Sequence, residues 1–217
     1  MQIFFSFLLL ITTSHAQQHQ HGNAHHHHDM VFKNAEKWTK NFDDPSRDDW
    51  QKPQDLINAL KISENAVIGD LGAGTGYFSS RIAKQFPKST VYAIDNEKDM
   101  TVFLQKRADK EQLKNLKPVL SETNGFSVEQ PLDLLLIVDT YHHLPDREKY
   151  FQKILSQLKP GARIVIVDFL PSSPVGPPKK FRFQPQQIEE ELKSLNLKRE
   201  QLFELPRQFV LILKRSL

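Results

Sequence analysis

The 217-residue sequence contains no cysteine, and this absence removes several classes of chemistry. Thiol catalysis, disulfide bonds and zinc sites with cysteine ligands are all excluded. A large excess of charge of one sign is also lacking, because 29 basic residues are set against 26 acidic ones and leave a net charge of +3. The basic residues are scattered rather than clustered in a stripe, so we predict no nucleic-acid partner.

Apolar runs long enough to cross a membrane are missing as well. The N-terminal run at residues 3–11 (IFFSFLLLI) is far shorter than the roughly 20 residues that a membrane helix needs. Small residues Ser14 and Ala16 flank His15 just after this run, which is typical of a secretory signal peptide cleaved after Ala16. We predict a signal peptide at residues 1–16, no stable membrane span, and export to the periplasm or the exterior. No Lys or Arg precedes the run, and an uncleaved, cytoplasmic N-terminus is the alternative.

Histidine is concentrated next to this segment. Seven of the nine histidines fall between His15 and His28. Such tracts bind Zn, Ni or Cu through neutral imidazole, and weak metal sequestration is one interpretation. No carboxylate or cysteine pattern defines a coordination geometry, so we favour a solvated linker over residues 17–29 and predict no defined metal site.

Strand and helix signals alternate from about residue 30 onward, which predicts one α/β domain with a parallel sheet over residues 30–217. Pro53 suits the first turn of a helix. Residues 132–138 (LDLLLIV) form an almost continuous apolar run, typical of a central strand covered on both faces. Residues 159–161 (KPG) are predicted to end a helix before the next strand. The predicted strands are residues 66–71, 90–94, 117–121, 132–138, 162–169, 201–205 and 209–213.

The chain is organised around residues 67–83 (VIGDLGAGTGYFSSRIA), a buried strand, a glycine-rich turn and an amphipathic helix in succession. Gly72, Gly74 and Gly76 occupy every second position of the turn. Glycine tolerates unusual backbone angles and lets a ligand approach the main chain closely. The free N–H groups of the following helix face the turn, so this stretch predicts a nucleotide-type cofactor site.

The glycine spacing bears on which cofactor binds. A dinucleotide fold has its third glycine three residues after the second, whereas Gly76 follows Gly74 by two. Asp95 closes the second strand, where a carboxylate accepts hydrogen bonds from a ribose diol. Each signal alone is weak, because glycine turns and strand-ending aspartates occur in many α/β folds.

Four motifs in order make the signal more specific. Residues 67–83, VYAIDNEKDM, LDLLLIVDTYHHLPD and LKPGARIVIVDF resemble the motifs of class I S-adenosylmethionine-dependent methyltransferases, of the type 11 and type 25 kind. The group with the quinone-biosynthesis C-methyltransferases is the most similar. The resemblance covers about residues 64–170. It implies a single Rossmann-like domain with a seven-stranded, mostly parallel sheet whose last strand is antiparallel, with helices on both faces.

The resemblance also implies roles for individual residues. The three glycines would lie against the methionine part of S-adenosylmethionine, with Asp70 reaching its amino group. Asp95 would hold the ribose and Asn96 would lie beside the adenine. Glu122 or Thr123 is a candidate for the adenine amine. The cofactor-binding set that we predict comprises Asp70, Gly72, Gly74, Gly76, Asp95, Asn96, Asp139 and Thr140, of which the last two would border the methionine end.

His142 and His143 follow the fourth strand, at the edge of the sheet where ligands bind in open α/β folds. Methyl transfer needs mainly positioning of the two reactants, so no catalytic side chain is required. An imidazole near neutral pKa is nevertheless able to deprotonate a nucleophile, and either histidine is a candidate base. The competing interpretation is that one of them packs under the turn and caps the next helix.

Two further regions have structural as well as functional interpretations. Lys179, Lys180 and Arg182 lie in a proline-rich loop, where they either meet an anionic substrate or, as we favour, form a solvated basic surface. Trp38 and Trp50 either cap the pocket or anchor the N-terminal helices, and we favour anchoring.

Three functions compete at this stage. The first is methyl transfer to an unidentified small molecule by in-line displacement. The second is a cofactor-binding module without turnover, and the third is a nicotinamide-dependent oxidoreductase. The glycine spacing speaks against the third.

Overall fold

The computed structural model describes residues 34–215. The predicted signal peptide and histidine-rich linker, residues 1–29, lie outside the described residues. Within residues 34–215, no helix is both long enough and apolar enough to cross a bilayer.

Helices and strands alternate after a short helical N-terminal region. The helices are α1 Ala35–Phe42, α2 Arg47–Gln51, α3 Pro53–Ala59, α4 Tyr77–Gln85, α5 Lys98–Lys110, α6 Arg147–Ile154 and α7 Pro185–Glu191. The strands are β1 Val67–Leu71, β2 Thr90–Asp95, β3 Leu116–Leu120, β4 Leu132–Val138, β5 Leu158–Phe169, β6 Leu197–Glu204 and β7 Gln208–Arg215.

The seven strands form one sheet in the order β3-β2-β1-β4-β5-β7-β6. Strands β1 to β5 run parallel to one another, and β7 is antiparallel to both β5 and β6. The predicted sheet of seven strands with an antiparallel last strand is therefore confirmed. Chain order reverses between β1 and β4, and ligands bind at such a switch point, outside the carboxyl ends of the strands.

Two apolar clusters cover the two faces of the sheet. One face packs α3, α4 and α5 against the sheet, with Leu56, Ile82 and Leu104 fully buried. The other face packs α6 and α7, with Phe151 and Ile188 fully buried. β4 is buried along nearly its whole length, as its continuous apolar sequence predicts.

One predicted boundary is wrong. Residues 159–161 do not end a helix, because α6 ends at Ile154 and β5 already begins at Leu158. Leu158 pairs with Leu132, and the ladder resumes with Arg163 opposite Leu134. The intervening residues form an irregularity in which Gly161 takes a φ of 75°, so the turn-forming residues lie inside a strand.

Candidate active site

The glycine-rich bend lies at the carboxyl end of β1. Gly72, Gly74 and Gly76 have φ values of 75°, 55° and 88°, in the left-handed region that favours glycine. The N–H groups of Gly72 and Ala73 both donate to the carbonyl of Ile94, which fixes the bend against the end of β2. At Gly76 the missing side chain lets α4 approach Leu104 of α5, where a Cβ would lie 2.7 Å from Cδ2.

Asp95 adjoins this bend, as predicted. Its Oδ2 accepts the N–H of Gly74 at 2.8 Å and its Oδ1 accepts the N–H of Glu97 at 2.9 Å. The side chain is 7% exposed, and this burial raises the pKa of the carboxyl even though the two N–H groups oppose the rise. Because two backbone bonds hold it, the carboxylate is already oriented at the mouth of the bend for a ligand hydroxyl.

Asp70 is the penultimate residue of β1 and is 3% exposed. The hydroxyl of Ser79, on the first turns of α4, donates to its Oδ2. Burial raises the pKa of Asp70 to about 6, and the hydrogen bonds from Ser79 limit that rise. The nearby negative charge of Asp95 adds to the rise.

Asp139 follows β4 directly and has a φ of 52°. Two fully buried amides hold it, since Gln51 donates to Oδ2 at 3.1 Å and Gln208 donates to Oδ1. Gln51 also donates to Gln208 at 3.0 Å, which closes a ring of three side chains from α2, β7 and the end of β4. Burial and the neighbouring charge of Asp168 raise the pKa of Asp139 to about 7.

Thr140 lies against the bend on the other side. Its hydroxyl donates to the carbonyl of Val138 at 2.9 Å. Its side chain fills the space beside Gly72, where an added Cβ would lie 2.5 Å from Cγ2 and 2.8 Å from Cβ. The structure therefore brings the predicted Asp139 and Thr140 to the same edge of the bend.

Asn96, predicted beside an adenine, lies exposed just after β2 at the same edge of the sheet. The two other adenine candidates, Glu122 and Thr123, are exposed as well. Glu122 forms an ion pair with Lys153 of α6 at 3.0 Å. Its carboxylate is therefore already paired, and nothing in its geometry marks it as an adenine ligand.

The N-terminal region covers the bend. The ring of Phe42 lies over Gly74, where an added Cβ would lie 3.1 Å from Cδ2. Asp43 pairs with Arg107 at 3.0 Å and accepts the hydroxyl of Thr75 at 3.1 Å. Arg107 also donates to the carbonyl of Thr75 at 2.8 Å, so α1 and α5 are both tied to the bend.

Arg47 of α2 provides the guanidinium next to these carboxyls. It lies 4.0 Å from the ring centroid of Tyr77, the first residue of α4, and donates to Gln51 Oε1 through both Nε and Nη2. Its charge lowers the pKa of both Asp70 and Asp139. Nothing in the sequence pattern indicated Arg47, Gln51 or Gln208. Their contacts with Tyr77 and Asp139 join residues that are far apart in the chain.

The two histidines differ in their surroundings. His142 is 6% exposed, and its Nδ1 lies 2.8 Å from Oδ2 of Asp168, which is fully buried at the end of β5. Burial lowers the pKa of His142, but the contact with Asp168 outweighs it and the net pKa is raised. His143 is partly exposed and its ring lies 4.2 Å from that of His142. Asp168 was not among the predicted site residues.

The proline-rich loop uses its arginine internally. Arg182 donates to the carbonyls of Pro177 and Ser173 at 2.7 and 2.5 Å, while Lys179 and Lys180 are exposed. The two lysines fit the predicted solvated basic surface, whereas Arg182 does not, because its guanidinium bonds to the backbone of the loop itself. Trp50 packs on Phe169 with ring centroids 5.7 Å apart, which ties α2 to the end of β5 as anchoring predicts.

A family model described as a methyltransferase domain matches residues 62–206. The chain belongs to this family. A methyltransferase of Aquifex aeolicus, described as S-adenosylmethionine dependent, has a similar fold with a TM-score of 0.76 and 24% identity, covering 84% of this chain and 99% of that one.

Two curated relatives match this chain over a shorter stretch. A malonyl-[acyl-carrier protein] O-methyltransferase of Priestia megaterium is 25% identical over 117 residues, which are 52% of this chain and 42% of that protein. A trans-aconitate 2-methyltransferase of Deinococcus radiodurans is 29% identical over 113 residues, again 52% and 42%. The match thus spans less than half the length of either relative.

Proposed function

We propose that this methyltransferase-family protein binds S-adenosylmethionine and transfers its methyl group to a small-molecule acceptor by in-line displacement. Three carboxyls surround the glycine bend, and this observation carries the proposal. Asp70, Asp95 and Asp139 stand at the carboxyl ends of the adjacent strands β1, β2 and β4.

The charge of this site favours a cation. Burial raises the pKa of all three carboxyls, and a positively charged ligand reverses that effect by favouring their ionised forms. S-adenosylmethionine brings a sulfonium and an ammonium, whereas a dinucleotide brings an anionic pyrophosphate. Arg107 is paired with the carboxylates of Asp43 and Glu111, whereas Arg47 donates to the neutral amide of Gln51 and to the carbonyl of Phe42. We therefore propose Arg47 as the guanidinium that meets the carboxylate of the methionine part.

The local backbone fits the same ligand. Gly74 presents its N–H to Asp95 rather than to a phosphate, and the carboxylate is held ready to accept ribose hydroxyls. Asp139 and Thr140 border the bend at the end of β4, where we assign the methionine part. Bound S-adenosylmethionine supplies a methyl group already activated on sulfur, so the residues of this chain need mainly to position the acceptor in line.

Calorimetry of the purified chain with S-adenosylmethionine, S-adenosylhomocysteine and NAD tests the proposal. We expect binding of the first two and none of NAD. We also expect Asp95→Asn to weaken binding, while Asp133→Asn, at the amino end of β4 and so on the other side of the sheet from the bend, leaves it unchanged. Binding of NAD alone would overturn the proposal. Cofactor binding with no turnover of any acceptor in a broad panel would favour a non-catalytic binding module.

The acceptor is sought by mass spectrometry of metabolites that co-purify with the protein. The relatives' names mention malonyl-[acyl-carrier protein] and trans-aconitate. These compounds therefore belong in the first acceptor panel.

We also propose export through residues 1–16, on the strength of the apolar run and the small residues that follow it. Cell fractionation and N-terminal sequencing of the mature protein test this. A protein that starts at Met1 and stays in the cytoplasm would contradict it.

A further inference from the structure

Arg207 stands in the tight turn between β6 and β7, at the carboxyl edge of the sheet. Backbone hydrogen bonds between Leu205 and Gln208, at 2.8 and 3.3 Å, close this turn in both directions. The carbonyl of Arg207 also accepts the N–H of Leu170, the residue after β5, at 3.0 Å. The main chain of Arg207 is therefore fixed between the end of β5 and the start of β7.

The side chain of Arg207 lies over an aromatic wall. Its Cζ is 5.4 Å from the ring centroid of Trp50, and Trp50 packs on Phe169 with ring centroids 5.7 Å apart. At Gly176 an added Cβ would lie 2.6 Å from Cγ of Phe169, so the proline-rich loop closes on the same ring. Phe169 is buried, whereas Trp50 and Arg207 are partly exposed. The wall therefore ends in an accessible cation held over a ring.

This cation adjoins the edge of the proposed methyl-transfer site. Gln51 and Gln208, which both donate to Asp139, are the chain neighbours of Trp50 and Arg207. The glycine bend and β2 lie on one side of Asp139, and β5 and β7 lie on the other. Because the cofactor is assigned to the bend, the acceptor has to approach from the β5 side, where the aromatic wall stands.

The guanidinium of Arg207 has no partner among residues 34–215, since neither an ion pair nor a side-chain hydrogen bond engages it there. Arg147 and Arg182 at the same edge donate to Glu191 and to the loop carbonyls. A guanidinium fork matches the two oxygens of a carboxylate. A single guanidinium balances one negative charge, so a carboxylate fits this position better than a phosphate dianion does.

We propose that Arg207, held over Trp50, binds a carboxylate of the methyl acceptor and thereby selects acceptors that carry one. This inference rests on the proposed methyl transfer. Asp139 in its ionised form repels an anion, so the acceptor's carboxylate points to Arg207 and its other end points to the bend. Arg207 thus orients the acceptor, which is the contribution that an in-line displacement mainly needs.

A purely structural role of Arg207 has different consequences. If Arg207 only ties the β6–β7 turn to α2 through Trp50, its replacement lowers stability and weakens the binding of charged and neutral compounds alike. If Arg207 binds a carboxylate, its replacement removes the difference between an acid and its neutral amide. A comparison of acids with their amides therefore separates the two roles.

The first experiment observes the guanidinium in the full chain. NMR of the arginine Nε–H groups, assigned by subtracting the Arg207→Gln spectrum, is followed while benzoate, 4-hydroxybenzoate or glutarate is added. We expect the Arg207 signal to shift with the acids and not with benzamide, 4-hydroxybenzamide or glutaramide. Arg207→Lys gives the same assignment if Arg207→Gln does not fold. An Arg207 signal that none of the acids moves at millimolar concentration would overturn the proposal.

Calorimetry measures the energetic consequence. We expect Arg207→Gln to weaken binding of the acids roughly tenfold or more and to leave the amides unaffected. Arg207→Lys keeps the charge but loses the fork, so it should recover part of the affinity. Arg163→Gln is the matched control, because Arg163 likewise has no partner among residues 34–215 but lies towards the amino end of β5, opposite Leu134. Equal weakening of acids and amides in Arg207→Gln would show a structural role only.

The acceptor itself provides the second experiment. We expect the acceptor identified by co-purification to carry a carboxylate, and kcat/KM for it to fall roughly tenfold or more in Arg207→Gln, mainly through KM. An acceptor without a carboxylate contradicts the proposal.

The titrations are run with and without S-adenosylhomocysteine, so that two failures stay distinct. If acids move the Arg207 signal but S-adenosylmethionine does not bind, the proposed function fails and the carboxylate site remains. If S-adenosylmethionine binds and the Arg207 signal does not respond to acids, only the present inference fails.

Discussion

Replacing Gly72 by alanine tests whether the glycine bend is set by backbone angle alone or also by close packing. Gly72 and Gly161 share a φ of 75°, yet their surroundings differ. At Gly72 an added Cβ would overlap the side chain of Thr140, whereas at Gly161 nothing lies within 4 Å. The two substitutions therefore carry the same backbone strain, and only one carries an overlap.

The magnitudes follow from these two effects. A left-handed conformation costs a residue with a Cβ about 1 to 2 kcal/mol, and overpacking adds about 1 to 3 kcal/mol. The stabilising effect of alanine on the unfolded chain's entropy is common to both variants and cancels in the comparison. We expect Gly72→Ala to lose about 1 to 3 kcal/mol more than Gly161→Ala. In a domain of this size that is a Tm lower by roughly 2 to 12 °C.

Urea unfolding and thermal melts of both variants provide the assay. Thr140→Gly removes the overlapping atoms, so Gly72→Ala combined with Thr140→Gly should cost less than the sum of the two single changes. Equal losses at Gly72 and Gly161, or strict additivity in the double variant, would refute the packing argument. The same Gly72→Ala variant should bind S-adenosylmethionine more weakly, as calorimetry would show.

Three further outcomes are expected. Asp95→Asn should weaken S-adenosylmethionine binding roughly 10- to 100-fold, the worth of a charged hydrogen bond of about 1.5 to 3 kcal/mol, and unchanged affinity in calorimetry would remove Asp95 from the site. The pKa of Asp139, about 7, lies above that of an unfolded aspartate, so its contribution to stability is full below about pH 4 and lost as pH rises through 7. Relative to the native chain, the free energy of unfolding of Asp139→Asn should therefore rise by about 2 to 4 kcal/mol between pH 4 and pH 8. If urea unfolding gives the same difference between the two chains at both pH values, the prediction is wrong. Asp43→Asn should loosen α1 from the bend and speed up hydrogen exchange of the α1 amides. Exchange as slow as in the native chain would show that the pairing of Asp43 with Arg107 does not hold α1 in place.

The sequence by itself determined the order of the elements and the position of the bend. Apolar periodicity and glycine spacing are local properties, so β1, β2 and β4 lie within a residue of their predicted bounds, and α4 follows the bend as expected. The position of Asp95 next to Gly74 could also be predicted from the sequence, because neighbouring parallel strands bring their carboxyl ends to the same edge of the sheet. The wrongly predicted start of β5 shows where local patterns stop being informative. Pro160 and Gly161 indicate a turn, but they do not indicate whether that turn lies inside a strand.

Only the tertiary structure decided the environment of the carboxyls. Gln51 and Gln208 reach Asp139 across 88 and 69 residues of chain, and His142 meets Asp168 across 26. Such contacts depend on how α2, β7 and the turn after β4 pack on one edge of the sheet, and no local pattern encodes that packing. Burial and paired charges shift a pKa only once these elements are in place, so the electrostatic character of the site follows from the fold as a whole.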